Sequence, residues 1–110
     1  MIEFGDFEKV AIRVGRIVEA TVFERARKPS FKVCVDFGSE IGMKWSSTGV
    51  RELYSAEELV GKLVLAVVNF EPRNIAGFMS EVLILGVPDE AAKVVLVVPD
   101  CEVPLGGRLY

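Results

Sequence analysis

Apolar and polar positions alternate with a period of two in the early segments of the chain. Val10, Ile12 and Val14 interleave with Ala11, Arg13 and Gly15 before Ile17 and Val18, which predicts an extended strand reaching Phe23. Gly15 inside that run is expected to mark a bulge or bend, which small barrels need to curl. Phe31–Phe37 alternates with Lys32, Cys34 and Asp36 and predicts a half-buried strand. Gly38-Ser39-Glu40 reads as a turn, and Ile41–Thr48 as a third strand carrying Lys44 and Trp45. Three more runs follow, Leu63–Phe70, Ser80–Val87 and Val94–Val98. Asp6-Phe7-Glu8-Lys9 predicts one helical turn with Asp6 as its cap. Ser55-Ala56-Glu57-Glu58 is a capping box, in which hydroxyl and carboxylate each satisfy a free backbone N–H. The stop at Gly61 keeps that helix short.

Roughly five main strands with a helix between the third and fourth predict an all-β domain. The order fits a five-stranded Greek-key barrel of the OB type, whose face and loops bind oligomers. A split sandwich is the alternative.

The later strands carry a second message. Leu63–Val68 and Val94–Val98 are apolar on both faces, where a one-sided strand would alternate. In a small barrel one face fills the interior and the other points outward, and one short helix cannot cover it. Large exposed apolar areas mark interfaces, so a twofold homodimer is expected. Phe4 and Phe7 near the start, and Val103, Leu105 and Leu109 near the end, are apolar in segments otherwise hard to order. They are the candidate dimer contacts, with packing on their own barrel as the alternative.

Between two of the apolar runs lies Asn69–Gly86, the stretch that organises the rest. Pro72 cannot donate to a ladder, so the first run ends before it. Gly77 permits a backbone shape that most residues resist, and Arg73-Asn74 fits a surface loop. Arg73, Asn74, Met79 and Ser80 therefore come to one rim: a cation, an amide, a thioether and a hydroxyl.

Composition narrows the chemistry. The chain has 110 residues, one domain's worth, read as a single unit over 1–110. No apolar run approaches a bilayer span of about 20 residues, and the acidic start lacks the order of a signal peptide. A cytoplasmic protein without membrane insertion is expected. The formal charge is −3, so any nucleic-acid contact rests on a local patch. The cysteines, Cys34 and Cys101, are far apart and in no metal spacing; Cys34 reads as a small buried side chain with a reduced thiol. Histidine is absent, which removes Ser-His and Cys-His pairs and the commonest zinc ligand. No Gly-rich phosphate loop or paired carboxylate set stands out. The expectation is a binding protein, with no catalytic residue, metal or cofactor.

Two ligand classes remain. For RNA, Arg25, Arg27, Lys28 and Lys32 cluster around the first long loop, with Arg73 on a later one; in an OB barrel such loops flank one groove. Lys44 adds a cation on the third strand, and Phe31, Trp45 and Phe78 are candidate stacking surfaces for bases. For unfolded polypeptide, the requirement is an apolar groove with adaptable side chains, which Met79 beside Phe78 suits. A dimer presents two such grooves, and a long client gains avidity by engaging both.

Several ordered blocks carry a resemblance. Ile12-Arg13-Val14-Gly15-Arg16-Ile17, Leu53–Lys62 and Val68–Glu81 together resemble the tRNA-binding domain family. Asn69-Phe70 followed by Pro72-Arg73, then Ile75-Ala76-Gly77-Phe78 and Ser80-Glu81-Val82-Leu83, is most similar to the CsaA-type secretion chaperones within it. The resemblance covers nearly the whole chain. It implies an OB-fold homodimer, tRNA binding by shape in the wider family, and capture of unfolded export precursors, with the export machinery as a further partner, in the CsaA branch. Arg73 and Ser80 fall on positions that tRNA-binding members keep. Two positions depart: Val82-Leu83 stands where tRNA binders carry Gly-Met, and Pro29 replaces a lysine beside Lys28.

Overall fold

The computed structural model describes residues 1–110 and is shaped by one long strand, β1 (Ile12–Val22). Its first half pairs antiparallel with β4 (Leu63–Val67), from Ile12↔Val67 to Arg16↔Leu63. Its second half pairs with β2 (Phe31–Asp36), from Arg16↔Asp36 to Val22↔Phe31. A strand shared between two neighbours in this way must bend. The register slips between Ile17 and Glu19, so the bulge lies at Val18 and not at the expected Gly15. Gly15 is needed for a different reason. A Cβ there would stand 2.4 Å from Val35 Cγ1 and 2.7 Å from Phe37 Cε1, so its bare backbone admits the core rings and branches against the curve.

β2 pairs in full with β3 (Met43–Thr48), and β7 (Leu83–Ile84) joins the far side of β4. The sheet order β3-β2-β1-β4-β7 is a nearly closed five-stranded barrel of the OB type. Alternation on β2 sends Phe31, Val33 and Val35 inward with Phe37, where they meet Ile17, Val64 and Ala66. Helix α2 (Ala56–Leu59) follows β3, as expected, and drives the fully buried Leu59 into this core. Its capping box is formed: Glu58 N–H donates to Ser55 Oγ (3.2 Å) and Ser55 N–H to Glu58 Oε1 (3.0 Å). The first helix, α1 (Phe4–Glu8), is capped by Glu3 and not by Asp6; Asp6 instead accepts from the Glu3 N–H at 2.9 Å.

One long strand expected from the apolar runs is broken up. The stretch Ser80–Val87 divides among the end of β6 (Phe78–Ser80), then β7, then β8 (Gly86–Pro88). Leu85 is the exchange point: its N–H donates to Leu65 in the barrel, and its carbonyl accepts from Val97 beyond β9 (Val94–Leu96). β8 and β9 form a separate hairpin. A single apolar run here serves two partners in turn.

The tail lies on its own barrel. Val14, Leu63 and Leu65 on the outer face of β1 and β4 are covered by Val97, Val103, Leu105 and Leu109. Gly106 N–H donates to Val14 O at 2.8 Å and Leu109 N–H to Ile12 O at 3.0 Å, so the tail extends the sheet beside β1. Arg13 fastens the tail through Nη1 to Gly106 O (2.8 Å), and Arg16 pairs with Glu102. The outer face that seemed bare in the sequence is therefore largely clothed within one chain.

A candidate ligand-binding face

The loop of residues 23–30, between β1 and β2, and the connection of residues 68–82, between β4 and β7, flank the outer surface of β1–β2–β3. These are the positions an OB barrel uses for ligands. The later connection is not an irregular loop. Arg73-Asn74, expected in one, begin β5 (Arg73–Ile75), which pairs with β6 in the register Arg73↔Ser80, Asn74↔Met79, Ile75↔Phe78. Ala76 and Gly77 join the strands with φ of 49° and 88°, the doubly left-handed turn whose twist matches a hairpin. Asn74 is used inside that turn, its Oδ1 accepting from Gly77 N–H at 2.8 Å.

The hairpin folds over the sheet through Phe78. Its ring meets Phe23 edge-on at 5.4 Å and Trp45 edge-on at 6.2 Å, between centroids. Lys32 Nζ stands 4.8 Å from the Phe23 centroid and 5.1 Å from that of Phe78, where the negative face of each ring attracts it. Phe78 is thus engaged by two aromatic rings and a cation. Phe31, a candidate stacking surface in the sequence, is 4% exposed and belongs to the core.

Beside this cluster opens a cleft of ≈ 580 Å³ lined by Trp45, Pro72, Phe78 and Met79, with Thr21, Lys32 and Glu81 completing the wall. Met79 is 48% exposed, an unbranched side chain free to adapt to what enters. A second hollow, of ≈ 560 Å³, lies against the other flank of the hairpin and gathers Arg25, Arg27, Lys28 and Arg73 around Ser30 and Ser47. The chain's salt bridges are Lys9–Asp6, Arg13–Glu40, Arg16–Glu102 and Lys44–Glu81, so none of these four cations is neutralised by a carboxylate. On a chain of charge −3 they form a local positive field.

The face therefore has an apolar cleft and a cationic hollow, divided by one hairpin. Of the residues expected from sequence, Lys32, Trp45, Phe78 and Met79 meet in the cleft, and Arg25, Arg27, Lys28 and Arg73 in the hollow. Lys44 lines neither; it stands 4.0 Å from Glu81 Oε2. Ser80 turns its hydroxyl toward β3, accepting from Ser47 N–H at 3.0 Å. Thr21, Phe23, Pro72 and Glu81 were missed. Phe23 and Pro72 sit at the ends of apolar runs, where their place on the face depends on how the connections return.

Cys34 lies opposite Trp45 in the β2–β3 register and is buried with a free thiol. Burial, and then the charges of Glu19, Asp36 and Glu81, push its pKa up.

Comparison with known proteins agrees with this architecture. The family model described as a putative tRNA binding domain matches residues 12–108. Methionine–tRNA ligase of Pyrococcus abyssi is 35% identical over 108 residues, which are 98% of this chain and 14% of that enzyme. The chain thus spans a small part of the length of the ligases it matches. A crystal structure of chaperone CsaA from Bacillus anthracis is 44% identical with a TM-score of 0.93, covering 100% of this chain and 99% of that one. The CsaA chaperone protein of Picrophilus torridus is likewise 44% identical, with a TM-score of 0.93 and 100% of both chains covered.

Proposed function

The chain belongs to the tRNA-binding domain family, and from that premise we propose that it is a CsaA-like chaperone acting as a homodimer. It holds unfolded or precursor polypeptides destined for export in the cytoplasm, and it performs no chemistry of its own. The observation that carries this reading is the cleft of Trp45, Pro72, Phe78 and Met79 on the OB-fold face. Trp45, Pro72 and Phe78 offer aromatic and aliphatic surface, the exposed Met79 is a flexible thioether, and Thr21, Lys32 and Glu81 are the polar groups at its wall. Such a surface accepts apolar side chains from many sequences.

Self-association draws on the chain's ends. Phe4 is 68% exposed and Ile2 77% exposed, and Phe4 and Phe7 flank a hollow closed by Leu109 and Tyr110. A twofold partner would cover this cluster, which a single chain leaves open.

A second reading has its own support. Four unpaired cations, Arg25, Arg27, Lys28 and Arg73, surround one hollow, and phosphate oxygens are the ligands such a group attracts. On this reading the protein binds tRNA in trans, through its backbone more than by base stacking, since Phe78 is already engaged.

A salt titration separates the two. Contacts to several phosphates make RNA affinity fall by orders of magnitude between about 50 and 200 mM salt, whereas capture of apolar side chains changes little. Bulk tRNA and an unfolded precursor are titrated at both ionic strengths against wild type and Arg73→Ala. Chaperone function predicts precursor binding that survives salt and the substitution. Salt-sensitive tRNA binding abolished by Arg73→Ala, with no precursor binding, replaces it with the second reading.

A further inference from the structure

The barrel has one seam without a strand ladder, between β3 and the chain running from β6 to β7. It is nevertheless closed, largely by side chains. Glu81 forms a complete pair with the backbone of Trp45: its N–H donates to Trp45 O at 2.8 Å, and its Oε1 accepts from Trp45 N–H at 2.9 Å. A carboxylate here takes the place of a strand carbonyl. Two residues along β3, Ser47 N–H donates to Ser80 Oγ at 3.0 Å. Between them Ser46 Oγ, in a fully buried residue, donates to Val82 O at 2.8 Å. The edge of β3 would otherwise present free N–H groups, an opening for further strand pairing.

This seam is also a wall of the ligand face. Glu81 borders the apolar cleft and, with Ser47 and Ser80, a second groove on the other side of the seam. Trp45, whose backbone Glu81 holds, supplies the floor of the cleft and the edge-on partner of Phe78. We infer that Glu81 and Ser80 are positioning residues: they stand in for a missing strand ladder, fix Trp45 and the β5–β6 hairpin against the sheet, and thereby set the shape of the cleft. Ser80, expected from sequence to contact ligand, acts here through Ser47. Glu81 acts through the oxygen that accepts from Trp45, so its hydrogen-bonding capacity matters more than its charge. The inference rests on the polypeptide reading of the cleft, but the seam can be read without ligand.

The test compares Glu81→Ala, Glu81→Gln and Ser80→Ala with wild type. Three quantities are measured: amide hydrogen exchange at Trp45 and Ser47, Trp45 emission, and affinity for a reduced, carboxymethylated, permanently unfolded polypeptide. Glutamine keeps an oxygen acceptor at the same place. The expected result for Glu81→Ala is faster exchange at Trp45, a red shift in Trp45 emission and roughly tenfold weaker polypeptide binding. Glu81→Gln should stay close to wild type on all three. Ser80→Ala should speed exchange at Ser47 with a smaller loss of affinity, and it decides the matter if Glu81→Ala does not fold. Unchanged binding in Glu81→Ala despite faster exchange overturns positioning. A loss in Glu81→Gln equal to that in Glu81→Ala also overturns it, because the charge itself would then be touching ligand. If wild type binds no polypeptide, the functional reading fails on its own. In that case, unchanged exchange and emission in Glu81→Ala would overturn the seam as well.

Discussion

Single positions show where alternation misleads. Cys34 falls on the outward-facing phase of β2 with Lys32 and Asp36, yet it is only 8% exposed. It is the packed small side chain that the residue type predicts and alternation alone does not. The sequence marks the phase of each side chain but not the ring of Trp45 and the hairpin folding over that face. The burial has a measurable consequence. Its thiol pKa is raised above the ordinary 9.0, first by desolvation and then by the charges of Glu19, Asp36 and Glu81. The folded state therefore holds the proton more tightly than the unfolded chain does. The stabilisation is fully present below the ordinary thiol value and is lost as pH rises through and beyond it. Urea midpoints measured from pH 7 to 10 should fall more steeply for wild type than for Cys34→Ala. Parallel curves would show that the buried thiol has no such linkage.

Elements were legible wherever one period ruled a whole segment. β2, β3 and the α2 capping box follow directly from alternation and from the serine–glutamate spacing. The stretch Asn69–Gly86 was recognisable as the organising one, but its hairpin was not, because Ala76 hides the turn. The favoured pair for a two-residue hairpin is asparagine followed by glycine, and here alanine takes the first place at φ 49°. A left-handed alanine costs about 1–2 kcal/mol. Ala76→Asn should therefore add about 0.5–1 kcal/mol of stability, read as a higher urea midpoint with unchanged slope. A lower midpoint would mean that the tip is held by contacts other than its own turn. The shared use of Leu85 by two sheets was equally hidden, since an apolar run does not announce where it changes partner.

At the scale of the whole molecule, the OB barrel emerged from the order of strands and helix, while the covering of its outer face did not. Val103, Leu105 and Leu109 pack on their own barrel, which takes away the part of the argument for a partner that rested on bare valine-rich strands. What remains is the cluster at the two ends, around Phe4, Phe7 and Tyr110. The proposed dimer is expected to sediment at twice the 12.1 kDa chain mass at micromolar concentration, and Phe4→Asp should shift it to the monomer. Sedimentation of wild type at the single-chain mass would remove self-association from the account.

The central claim is that one side of the β5–β6 hairpin, the apolar side, receives polypeptide. Chemical-shift mapping of the labelled protein with an unfolded precursor tests it most directly. The account predicts saturable shifts at Thr21, Lys32, Trp45, Phe78 and Met79, with the β8–β9 hairpin around Val87 and Val95 unmoved. Shifts confined to Arg25, Arg27, Lys28 and Arg73, or centred on β8–β9, would contradict it.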